Sequence, residues 1–357
     1  ADGADAGTLG AVASGIDAIA IGVDSLASGE DSVVVGNGAI ASALDSVAVG
    51  DLAEASGFLS TAVGSASDAR HEGASAFGGL AFADAVGATA IGNGSGARGM
   101  NSIALGTSVD AFADFSIAVG TAANAGEANS IAIGTTSFTD GINAIAIGAN
   151  SEAVAQDAIA VGSASEASAQ NASAFGTGSI ASGNGSTAIG RSAQATNDGA
   201  SAFGILARAT GQLATAVGNA SVAAGPSSVA LGAAATADAP GTVALGGFSN
   251  ASDADATAVG FSAQATAQGT AAIGTSAQAG GFHASAVGAF ANASATNATA
   301  FGYRAEASGN DSTAVGTDSS AAFNGSSAFG AGVQAIRADQ YLFGLGSSTY
   351  TFAGLPS

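Results

Sequence analysis

Starting at Gly22 and stepping by 14, every position of this 357-residue chain holds glycine through Gly344, which makes 24 anchor glycines in one unbroken register. A period held over this length is the mark of a stacked repeat architecture, in which each repeat buries its apolar face only against its neighbours. Length alone would suggest about two globular domains; the period overrides that. Three segments follow: an imperfect first repeat over 1–21, uninterrupted repeats over 22–344, and a segment at 345–357 that leaves the pattern.

With the anchor glycine as position zero, each column has its own chemistry. Position −1 is always bulky and apolar: nine Val, six Ile, six Phe and three Leu. Position −2 is Ala in 22 repeats, Val34 and Leu342 being the exceptions. Position −3 is Ile or Val in ten repeats and mostly Ser or Thr in the rest. Such alternation predicts a short strand with −1 and −3 on one face and −2 on the other. Positions +3 and +5 are almost all Ala or Ser, with a usually polar +4 between them, as at Glu54, Glu152 and Gln264. This predicts a second strand, small side chains facing one way and polar ones the other. Position −5 is Asp, Asn or Gly in 19 repeats, residue types that tolerate positive φ. It predicts a tight turn into the first strand, with the anchor glycine as the turn out of it. Two strands and two turns per 14 residues make one coil of an all-β, parallel β-solenoid.

The small columns −2, +3 and +5 must face one another inside the coil, which leaves no room there for Ile or Phe. The bulky columns therefore point outward as one stripe: Ile19, Ile21, Val49, Phe77, Ile91, Leu105, Ile131, Ile133, Ile147, Phe175, Phe203, Val229, Leu231, Phe301 and Phe329. A stripe of this length exceeds what a soluble monomer exposes, so it is expected to be a seam between copies. Phe at −1 comes with Ser or Thr at −3 in five of six cases, as in Phe77 with Ser75. Volume is traded between the two columns, as in a close-packed space.

The motif NSIAIG at 129–134, followed by small-x-small and often glycine (ASG at 27–29, 55–57 and 181–183), resembles the head repeat of trimeric autotransporter adhesins of the YadA-like type. The resemblance covers residues 11–344. It implies a left-handed parallel β-roll, three rolls associated along an axis, the −1 and −3 columns as intersubunit residues and −2 as roll interior. The tail, with DQYLFG at 339–344 and TYTFAGLPS at 349–357, resembles the segment that leads such heads toward a neck or stalk. The resemblance further implies a bacterial surface location, with outer-membrane anchoring through C-terminal regions absent from this chain. The function it implies is an adhesive rod contacting host matrix, cells or surfaces; the alternative is a structural spacer or surface fibre with no specific ligand. Ice binding needs a regular exposed array of Thr, and Thr61, Thr89 and Thr187 are irregular and point into the seam.

The chain carries 27 acidic residues against 6 basic ones, a net charge of −21. That argues against nucleic-acid partners and anionic lipid. Cysteine is absent, so disulfides and thiolate metal sites are excluded. No apolar run approaches a membrane span of about 20 residues, and the start lacks a signal-peptide pattern. The chain is then either soluble or a piece of something larger. His71 and His283 lie at different repeat phases and suit turns or surface. Stacked Asp17, Asp31 and Asp45, and likewise Asp253 and Asp255, have oxygen ligands of the calcium type, but Asn and Gly substitute freely in the −5 column, which favours turn formation. No cofactor is expected. Serines lack a fixed His and Asp partner, and no insertion builds a pocket, so no enzyme activity is expected. At +4, Leu26, Ile40, Phe82, Phe138, Ile180 and Val222 are apolar where the column is usually polar, and the first five are candidate outward contacts for a fibrous or surface ligand.

Overall fold

The computed structural model describes residues 10–346. The first nine residues of the imperfect first repeat, and all but the beginning of the expected 345–357 exit segment, lie outside the described residues. The chain divides into two compact units, residues 1–185 and 186–357. Both are built only of short parallel strands, and no helix occurs among the described residues.

In the first unit, three-residue strands run from Ile19–Ile21 to Ser173–Phe175, and two-residue strands alternate with them from Val12–Ala13 to Ile180–Ala181. Each strand pairs with the like strand one repeat on. Ile131 stands opposite Ile145, Ala132 opposite Ala146 and Ile133 opposite Ile147, while Phe138 stands opposite Glu152. In the second unit the same two ladders run from Thr187–Ile189 to Tyr341–Phe343 and from Gln194–Ala195 to Gln334–Ala335. Backbone donors therefore reach the next coil at every turn: the Ile131 N–H donates to the Ala144 carbonyl at 2.9 Å, and the Gly148 N–H to the Ile133 carbonyl at 2.8 Å. The first strand spans −3 to −1 as expected; the second spans +4 to +5, one residue shorter than the expected +3 to +5.

The interior has four columns. The expected three, −2, +3 and +5, are joined by −4; in one coil Ser130, Ala132, Ser137 and Thr139 are all 0% exposed. The largest fully buried side chains are the valines Val34, Val109 and Val333. A space this thin takes mostly methyl and hydroxymethyl groups and, at a few positions, a Val or Thr, and nothing larger. At many interior positions the serine hydroxyl finds a local acceptor. At +3 it donates to the anchor glycine carbonyl, as Ser137 does to Gly134 at 3.0 Å and Ser151 to Gly148 at 2.8 Å. At −4, Ser32 donates to the Gly29 carbonyl at 2.7 Å.

The −5 turn is formed as expected. Every −5 residue from Asp17 to Asp339 has positive φ, including Leu59, Phe115, Leu213, Ser227 and His283, which lack the usual preference. The turn out of the strand differs from expectation. Its left-handed residue is not the anchor glycine but the residue two positions later, such as Leu52 (φ 55°), Ala66 (φ 51°) or Asn150 (φ 55°). The anchor glycines instead have φ between 123° and 153° from Gly22 to Gly330, a region essentially closed to side chains. Successive coils also approach closely there: a Cβ on Gly148 would lie 2.6 Å from the Gly162 carbonyl carbon. Conformation and contact thus both require glycine at that column.

Candidate intersubunit and outer surfaces

Because −2 and −4 point inward, strand pleating turns −1 and −3 outward in both units. The −1 side chains lie open to solvent on the single chain. Ile21, Phe77, Ile91, Leu105, Ile133, Ile147, Phe175, Phe203, Leu231 and Phe301 are exposed, as are Ile19 and Val229 at −3; Val49, Ile131 and Phe329 are half-buried. The parallel register aligns them into unbroken rows, Val119 opposite Ile133 and Ile133 opposite Ile147 in the first unit. In the second, Val217 stands opposite Leu231 and Leu231 opposite Leu245. Near the end of the second unit the row becomes aromatic, with Phe329 and Phe343 stacked at 4.9 Å and 9°. The fold thus inverts the usual arrangement, with its smallest residues inside and its bulkiest outside. Burying one exposed Ile or Phe would contribute about 1.5–3 kcal/mol, whereas an interior alanine methyl contributes about 0.8 kcal/mol.

The five candidate +4 residues are less open than the stripe. Ile40 is exposed, and Leu26, Phe82, Phe138 and Ile180 are half-buried. Two causes are visible. Leu26 and Ile40 line a shallow depression with Val12, whose strand pairs with that of Leu26. Phe82 is covered by a cation: the Arg70 guanidinium lies 5.1 Å from its ring centroid and forms a 2.5 Å ion pair with Asp68. The same device recurs at Arg98, which lies 4.6 Å from the Phe112 ring and 2.8 Å from the Asp110 carboxylate. Burial pushes the Asp68 carboxyl above the usual carboxylate value, and the hydrogen bond and charge of Arg70 only partly offset it. The same partner raises the Arg70 pKa.

His71 Nε2 lies 3.6 Å from an Asp84 oxygen. His283 stacks on Phe282 at 3.9 Å and occupies a left-handed turn position. Among the described residues, no three His, Cys, Asp or Glu side chains are grouped to hold a metal ion. The hydroxyls of Ser102, Ser130, Ser228 and Ser312 are buried without a hydrogen-bond partner; all four belong to the −4 column, away from either outer surface.

Fold and surface together define a class: a parallel β-solenoid of 14-residue coils with a methyl-lined interior and a continuous apolar outer face. The YadA head domain repeat matches fourteen overlapping or successive segments from 13–39 to 307–332, which together take in most of the chain. The chain belongs to that family, and it is an adhesin-like head of a surface-displayed type whose fold is structural and adhesive. A solved structure, the collagen-binding domain of the Yersinia adhesin YadA, is similar at 17% identity over 74% of this chain and 76% of that one, with a TM-score of 0.13. At that score the two backbones do not superpose as whole chains, and the assignment stands on the repeat match. No curated protein matches the chain.

Proposed function

We propose that this chain is the adhesive head of a bacterial surface protein, that it works as a homotrimer sealed along the −1 and −3 columns, and that it attaches to matrix protein, host cells or solid surfaces. The observation that carries the reading is the aligned stripe of exposed Ile, Val, Leu and Phe, too long for a monomer in water. Three copies sharing the stripe cover it on every protomer at once, as closed symmetry requires. Family membership supports the adhesive role. Many weak outward contacts in register give avidity without a deep site.

The test is solution mass together with binding. Sedimentation at micromolar concentration should give three times the 32.9 kDa of one chain; a mass near one chain refutes the seam. Ile133→Asp should abolish association, because it would bury three unpaired carboxylates near one axis, at several kcal/mol; Glu152→Gln on the outer face should not. A trimer that binds no matrix protein, cell or surface above a charge-matched control is a spacer and not an adhesin.

A further inference from the structure

At positions +1 and +2, on the turn after the anchor glycine, aromatic residues occur in only one stretch of the 24 repeats. Phe248, Phe261, Phe290 and Tyr303 occupy four of five successive coils of the second unit, and the coil between the two pairs presents Thr275 and Ser276. The rings are 59%, 56%, 52% and 47% exposed, in that order. Phe248 and Phe261 meet edge to face at 5.6 Å, and Phe290 and Tyr303 at 6.0 Å. The Phe261 ring lies over Gly247, 3.5 Å from where a Cβ would stand.

Two observations show that the fold itself does not call for these rings. Phe248 and Phe290 both have φ 58°, where a bulky side chain is disfavoured; Gly, Asp, Ser or Ala fills this column in most other coils. The strain is not returned as burial, since both rings remain more than half exposed. Leu52 and Leu80 share this column with φ of 55° and 57° and are as exposed, so what sets Phe248 and Phe290 apart is their pairing with a second ring.

The neighbouring +4 column completes the chemistry. Over the first four of these coils it reads Asn250, Gln264, Gln278 and Asn292, aligned one above another in parallel register, with the Asn250 Oδ1 buried, and the fifth coil has Glu306. From Ala233 to Ala293, positions +1 to +5 carry no charged residue, in a chain of net charge −21; the Tyr303 coil ends this strip with Glu306 and with Arg304, whose guanidinium lies 5.8 Å from the Tyr303 ring. The acids of this stretch, Asp238, Asp253 and Asp255, sit at +6, +7 and −5.

We propose that this aromatic and amide edge of the second unit is a binding surface for a neutral polysaccharide. A sugar ring has an apolar C–H face that stacks on an aromatic ring, and a rim of hydroxyls that both donate and accept, as a carboxamide does. An uncharged strip suits an uncharged polymer, whereas a sulfated or nucleic-acid chain is repelled by the surrounding charge. A purely apolar peptide would use the rings and leave the amides unpaired. Five coils at about 4.8 Å each span roughly 20 Å, so one extended oligosaccharide can reach both ring pairs, and the second contact gains from the first. This names a ligand class for the adhesive head proposed above and rests on that reading.

The test uses the full chain sedimented with amorphous cellulose, starch granules and curdlan, at low and high salt. Binding to at least one of these, unchanged by salt, is expected. Phe248→Asn with Phe290→Asn should weaken it about tenfold or more through the loss of two stacking rings. Asn suits the left-handed turn, so this variant keeps or gains thermal stability, and lost binding is not lost fold. Gln264→Ala with Gln278→Ala should also weaken binding. Binding to none of the three polymers overturns the proposal, as does a Phe variant that binds like the parent, or binding that high salt abolishes. Light scattering on the same samples separates the two readings. A change of mass in the Phe variant would place the edge between copies and overturn the polysaccharide surface. A monomeric parent that still binds through these rings would overturn the trimer alone.

Discussion

Replacing Gly92 with alanine should destabilise the chain far more than the same change at Gly94, two residues on. Gly92 is an anchor with φ 128°; an added Cβ would overlap the Gly106 carbonyl oxygen and lie 2.6 Å from its carbon and 3.3 Å from its Cα. Ordinary carbon contacts begin at about 3.5 Å, so the two coils must part by about 1 Å at this contact. That displaces the bond from the Gly106 N–H to the Ile91 carbonyl, now 2.8 Å. Backbone strain of about 1–3 kcal/mol, one weakened ladder bond at about 1 kcal/mol and residual overpacking of about 1–3 kcal/mol give about 3–7 kcal/mol per chain. Gly94 has φ 63°, and the nearest atom to its Cβ would be Ser108 Oγ at 3.9 Å. Alanine already occupies this column at Ala66, Ala122 and Ala164, with φ of 51°, 54° and 53°, so the cost there is only the left-handed preference, about 1–2 kcal/mol. Urea unfolding followed by circular dichroism gives the global difference. Hydrogen exchange of peptides spanning 75–120 gives the local one, which matters because stacked coils need not unfold in one step. Equal losses at the two positions would refute the account of the anchor glycine as the coil contact.

Two further outcomes follow from the packing and the charges. Ala132→Leu, which forces a larger side chain into an interior that is 0% exposed, should lower the urea midpoint more than Ile133→Leu on the outer face, by about 1–3 kcal/mol; equal tolerance would mean the two strand faces are reversed. Asp68 has its pKa raised by burial from the ordinary 3.8, so just above pH 3.8 the folded chain holds a proton that the unfolded chain has released, and stability falls as pH rises through that window. Asp68→Asn should flatten that slope in urea midpoints measured across it, and an unchanged slope would show that the carboxyl is not buried as described.

The strands and the −5 turn were legible in the sequence because each depends on a residue type that few positions admit: Ala132 for its size, Ile133 for its bulk, Asn143 for its left-handed tolerance. Columns filled by common residues were not. Position −4 holds Ala, Ser or Thr, as many surface positions do, in every repeat but the last, which has Gln340, so Ser130 gave no sign of being inside. The second left-handed site hid behind Leu52, Ala66 and Arg304, because the glycine two residues before it and the coils above and below impose the conformation whatever the side chain prefers. For the outer surfaces, the stripe was readable from −1 and −3. The half-burial of Phe82 was not, since it comes from Arg70 reaching across from the preceding coil. The ring pairs at Phe248 and Tyr303 fall in different columns, and only stacking the coils brings their partners together.

The methyl-lined interior has an evolutionary consequence. Since nearly every coil offers its neighbour the same alanines, serines and backbone bonds, a coil does not distinguish which one follows it. Unequal recombination that duplicates or deletes whole repeats therefore creates a junction that already fits. Length can drift in single-coil steps while the fold stays sound. Recognition features such as the aromatic edge, carried only on outer columns, can be copied, moved or lost with the coils that bear them.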